Sequence, residues 1–190
     1  MAKVKTYQQQ FALQEALAIC FAAQRINGSY VKHTQRFSTE GNPTIHANKD
    51  MVKQHFGKYT DPDFVNFKAI DEDFEAVDIA TKHFKRYTLG LIGDTLSAFQ
   101  QDVFKLLSGE TIGFNKLGLL AYVPELVKRE VSESKFKKML RMEYRNSANV
   151  GNIKDPVEGV VKFLSKFWSE DWESFNYVAD LNGHLVSFMN

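Results

Sequence analysis

The hydrophobic pattern of this chain changes period once, and that change constrains the fold more than any other feature. Up to about residue 145 apolar side chains recur at helical spacing. After the polar, glycine-containing run Asn146-Ser-Ala-Asn-Val-Gly-Asn152 they alternate. A helical-period segment followed by a strand-period segment predicts an α+β protein, with a mainly α-helical N-terminal domain over residues 1–150 and a small antiparallel β-meander over 151–190.

Within the first region, residues 7–26 predict a helix that is apolar nearly all round and so central, stopped by Asn27-Gly28. The β-branched and aromatic stretch 29–37 predicts a short strand, and Asn48 is positioned to cap a helix through Phe56. Asp71 or Asp73 can start an acidic-first, basic-last helix ending at Lys82-His-Phe-Lys-Arg86, a polarity that complements the helix dipole. Asp94 or Thr95 is expected to open the next, which Gly109 follows. Helical stretches at 114–122 and 124–130 come after it, with Pro124 at a first-turn position. Ser132 or Ser134 is then expected to cap a separate basic helix to about Arg145.

In the second region 157–168, 172–180 and 184–189 predict three strands, the last two joined at Asn182-Gly183. That dipeptide tolerates positive φ and suits a type I′ turn or a type I turn with a G1 bulge. Three strands make a partial, OB-like module with an open edge, which invites pairing with another chain.

The chemistry-bearing residues exclude more than they assign. Cys20, the single cysteine, lies in the apolar run 16–23 and predicts a buried, inert thiol. The five histidines, 33, 46, 55, 83 and 184, lack metal-site spacing, and no phosphate loop, serine elbow or dinucleotide fingerprint occurs. The sequence therefore predicts a non-enzymatic protein with no cofactor and no metal. No run approaches the ~18 apolar residues of a membrane span, and a reducing cytoplasm is the expected compartment.

Net charge is only +1, yet it is unevenly distributed. Residues 61–80 carry seven carboxylates against Lys68 alone, and the caps and first turn of a helix account for most of them. Residues 128–145 carry seven cations against three glutamates. On a helix, Phe136 and Leu140 turn inward, while Lys135, Lys138, Arg141 and Arg145 can lie along a phosphate backbone. Strict alternation in the first strand puts Val161, Phe163 and Phe167 on one face. It puts Val160, Lys162, Leu164, Lys166 and Trp168 on the other, a mixture of rings and cations suited to single-stranded nucleic acid.

The element order, with Gly113-Phe-Asn-Lys-Leu-Gly-Leu-Leu-Ala121 and the closing segment 175–188, resembles uncharacterised tailed-bacteriophage proteins in which a helical region precedes an OB-like β-module. Val103-Phe-Lys-Leu-Leu107 and the following helix are also similar to phage helicase-loading proteins. The resemblance implies a phage DNA-metabolism setting and hence the host cytoplasm. The expected function is nucleic-acid binding or replication accessory work through Lys135, Lys138, Arg141, Arg145, Lys162, Lys166 and Trp168. The alternative is a protein-interaction module that uses the exposed sheet edge or the acidic segment to modulate a host or phage enzyme.

Overall fold

The computed structural model describes residues 9–36, 44–57, 64, 66–93, 95–152 and 156–189. Its architecture is α+β, with helices through the N-terminal and central regions and a three-stranded antiparallel meander at the C-terminus. The chain divides into two compact units, Met1–Glu130 and Val131–Asn190, so the expected boundary at 150–151 lies inside the second unit. No described helix is long and apolar enough to cross a membrane.

The first unit is built around α1 (Leu13–Asn27), which buries Leu13, Ala16, Leu17, Ala18, Ile19, Cys20, Ala22 and Ala23. Its alanines let neighbouring helices approach on several sides. The partners are α2 (Asn48–Phe56), α3 (Asp71–Phe84) and α6 (Leu117–Leu120). Gly28 ends α1 in the left-handed region at φ 72°, where a side chain would strain the backbone. Cys20 is fully buried, and burial pushes its thiol well above the usual range. It is therefore expected to react with an aromatic disulfide reagent at the rate of global unfolding; stoichiometric labelling of the native protein within seconds would contradict this.

Several local expectations are corrected. Residues 10–12, placed in the first helix by propensity, form strand β1 (Gln10–Ala12), paired antiparallel with β2 (Thr111–Gly113). The partner strand is a hundred residues away, so local pattern carries no sign of it. The strand expected over 29–37 reduces, among the described residues, to one bridge between Gln35 and Ile45. Asn48 is the first residue of α2 rather than its cap. Its buried carboxamide oxygen accepts from Asn27 Nδ2 at 2.9 Å and from the Val31 N–H at 2.8 Å, fastening the chain that leaves α1.

The acidic start of α3 is as expected in charge, but Ile70 is the N-cap. Asp73 Oδ2 accepts from the Ile70 N–H at 3.0 Å, and the same carboxylate takes a two-point contact from Arg25 at 3.1 and 2.8 Å. A second short helix, α4 (Tyr87–Ile92), follows α3. Next comes α5 (Ala98–Leu107), capped not at Thr95 but by Ser97 in a reciprocal box with Gln100. Asp94 and the loop at 61–63 lie outside the described residues. Finally, 123–143 is one uninterrupted helix, α7 (Val123–Glu143), running through Ser132 and Ser134. Neither glycine nor proline follows Pro124 within it, and a mid-helix serine costs only a few tenths of a kcal/mol.

Candidate nucleic-acid interface

All seven sequence-predicted binding residues fall in the second unit. This unit holds the C-terminal half of α7 and the meander β3 (Lys162–Ser169), β4 (Ser174–Leu181) and β5 (His184–Met189) in the order β3-β4-β5. Asn182 and Gly183 take φ of 53° and 84°, so the β4–β5 connection is the type I′ alternative.

Register decides which side chains share a surface, because residues directly opposite one another in a ladder point to the same face. Trp168 lies opposite Phe175, Lys166 opposite Tyr177, and Tyr177 opposite Phe188. A bulge at Leu164 then shifts the pairing, so that Phe163 meets Ala179 and Lys162 meets Asp180. One inserted residue reverses the alternation beyond it. Phe163, expected on the far side, therefore joins Lys166 and Trp168. Lys162, expected beside them, is on the opposite face with Ser165, Phe167 and Asp180.

The face that results is dominated by rings. Trp168 meets Phe175 edge-on at 4.9 Å, Phe163 lies 5.4 Å from Tyr177, and Tyr177 and Phe188 stack at 5.4 Å. Phe163 is 60% exposed and Trp168 51%. At the other end of this face Ala179 and Leu181 are buried. There a Cβ added at Gly159 would come within 2.6 Å of Leu181 Cδ1, so the glycine lets the incoming chain lie against the Leu181 side chain without displacing it. One end of the face is thus covered and the ring-bearing end is open. Among the described strand residues Lys166 is the one lysine or arginine that the register puts on this face, and its Nζ sits 3.8 Å from the centre of the Phe175 ring.

The basic stripe is arranged differently. Phe136, Leu140 and Tyr144 are half-buried, and Lys135, Lys138, Arg141 and Arg145 are exposed. The spacing logic for this segment therefore matches the structure. Tyr144 donates its hydroxyl to Asp180 Oδ2 at 2.7 Å, and Asp180 Oδ1 accepts from the Gly183 N–H at 2.7 Å. This tie holds the Asp180 carboxyl below its usual range and pushes the Tyr144 phenol up to about 12. Tyr144 is therefore joined to the face that carries Lys162 and Asp180, while the Ala148 N–H donates at 3.1 Å to Nδ1 of His184, on the other face. Four of the platform's five rings, Phe163, Phe175, Tyr177 and Phe188, were not among the predicted site residues. The signal for three of them was the two-residue spacing of Phe175 and Tyr177 across the hairpin from Phe188, which places them on one face once the Asn-Gly turn sets the register.

A second polar constellation lies in the helical unit. The Glu130 carboxylate accepts from His83 Nε2 at 2.8 Å and also from Arg86 and Tyr87. Burial raises its carboxyl, but the bonds from Tyr87, His83 and Arg86 outweigh that and leave it below the ordinary range. With its lone pairs taken by four donors, the fourth being Gln100 Nε2 at 3.4 Å, this carboxylate has the chemistry of a fastening that joins α3, α4, α5 and α7, not of an available base.

Comparison with protein-family models, with curated proteins and with solved structures finds no match to this chain.

Proposed function

We propose that this chain is a non-enzymatic nucleic-acid-binding protein, an accessory factor in DNA replication or a related process, and that single-stranded nucleic acid docks on the ring-bearing end of the meander. The observation that carries this reading is the open face on which Phe163, Trp168, Phe175, Tyr177 and Phe188 surround one cation, Lys166. Unpaired bases offer flat π-surfaces that stack on such rings whatever their sequence, and the intervening phosphates seek a cation. A duplex hides those surfaces in its own stack. The helical cations Lys135, Lys138, Arg141 and Arg145 then act mainly as a positive field that draws the strand in, and Lys162 stands apart on the other face. The phage setting is carried by the sequence resemblance.

The expected result is saturable binding of fluorescein-labelled oligo(dT), followed by anisotropy at several salt concentrations. With one cation on the platform, the slope of log affinity against log salt is expected near −0.7 for that contact, plus whatever the helical cations add. Absence of binding to single- or double-stranded DNA or RNA at low ionic strength would reject the reading. The protein-interaction alternative draws on one observation: β3 and β5 are the edge strands of the described sheet. Lys162 and Lys166 blunt strand addition at β3, and at β5 the Leu185 N–H already donates to Ser147 Oγ at 2.9 Å, which together weigh against that alternative. A stable protein complex formed without nucleic acid would reinstate it.

A further inference from the structure

We infer that Lys166 is a switch group: in the free protein its ammonium rests on the Phe175 and Tyr177 rings, and when a single strand docks it cedes the rings to a base and takes the phosphate between two splayed bases. The inference rests on the nucleic-acid reading above and goes beyond it by assigning the platform's regulation to its own lysine.

Occupancy is the first step of the argument. Lys166 Nζ lies 3.8 Å from the Phe175 ring centre and 5.4 Å from that of Tyr177, so it occupies ring surface that a base would otherwise cover. A base and an ammonium cannot share one ring face. Either the strand avoids Phe175 or the lysine moves. Cation–π attraction at an exposed site is weak, and the four-carbon stem of a lysine lets its charge swing several ångströms without moving the backbone. A phosphate that meets the displaced ammonium releases condensed counterions, which favours the exchange.

Position is the second step. Phe163 and Trp168, the two most exposed rings of the face, lie on β3 on either side of Lys166. Because of the bulge they lie opposite Ala179 and Phe175, four residues apart on β4, a span of roughly 13 Å at about 3.3 Å per residue. The rise between stacked nucleotides is only ~3.4 Å. A base that lays its face on either ring gives up a neighbour in its own stack, and the backbone that connects bases on the two rings passes over Lys166. The same geometry selects single strands, because a duplex cannot splay its bases without losing its pairing.

The test follows the Lys166 side chain in the intact protein by carbon–proton NMR, assigned by comparison with Lys166→Met. Ring currents are expected to hold the Lys166 ε-protons upfield of the other lysines. Titration with a short oligo(dT) should move them toward ordinary lysine positions in step with the anisotropy isotherm. Lys166→Met should still bind, with its salt slope flatter by about 0.7, the value of one lost phosphate contact on a single strand. Saturable binding with the ε-protons still upfield, or an unchanged slope in Lys166→Met, would overturn the switch while leaving the platform in place. No binding by the parent protein would overturn both.

Discussion

Replacing Glu130 by Ala is expected to destabilise the helical unit by about 3 kcal/mol, the lower end of what removing one member of a buried ion pair costs. Glu130 and His83 are 11% and 9% exposed at the side chain, so the histidine loses its partner where water cannot replace it. Arg86, by contrast, is half-exposed and can rehydrate, which keeps the cost from the upper end. The Tyr87 hydroxyl also loses its acceptor. A fall of roughly 10 °C in the thermal midpoint follows for a unit of this size. Glu130→Gln, which keeps the shape and one acceptor oxygen, should lose less. A midpoint within a degree or two of the parent for Glu130→Ala would show that the cluster contributes little.

The same group predicts an acid dependence. Because the folded-state carboxyl lies below its ordinary value, its stabilisation is fully present above that ordinary range and is lost as pH falls through the folded value. Denaturant midpoints measured from pH 6 down to pH 3 should therefore fall more steeply for the parent than for Glu130→Gln. Parallel curves would remove Glu130 from the account. Tyr87, pushed up to about 12 chiefly by burial, works at the other end of the scale: its contribution is complete below pH 10 and declines as pH rises toward 12.

How much of this was legible in the sequence depends on the range over which each signal acts. The period change, the all-round apolar character of α1, the acidic first turn of α3 and the Asn182-Gly183 turn are local, and each has its counterpart in the structure. Pairings with distant partners were not legible. Leu164 carries no mark of a bulge, yet it moves Lys162 away from Lys166 and brings Phe163 over, because register is a property of two strands together. Likewise Gln10–Ala12 is a strand only because Thr111–Gly113 lies beside it. The merging of two expected helices into α7 has another cause. Ser132 and Ser134 satisfy the cap pattern, but a serine caps only where the chain on its N-terminal side leaves the helix, and nothing before them makes it do so.

Replacing Trp168 by Ala is expected to lower the affinity for single-stranded DNA by about tenfold to a hundredfold, since one base stacked on a ring contributes about 1–3 kcal/mol. Trp168 is the largest ring on the open face, and it touches the sheet through the edge of Phe175 rather than through a buried core. Removing it takes away ligand contact more than protein packing, so the melting temperature should stay close to the parent's. The charge count is unchanged. Affinity should therefore fall at a constant salt slope, whereas Lys166→Met flattens the slope, and one titration series separates the stacking contribution from the ionic one. Phe167→Ala provides the contrast within the same strand. Phe167 is comparably exposed but lies on the other face, opposite Asn176, so its removal should leave the affinity within about twofold. If Phe167→Ala weakens binding as much as Trp168→Ala does, the strand does not choose between the two faces of the sheet, and the platform on the Lys166 side loses its claim to be the site.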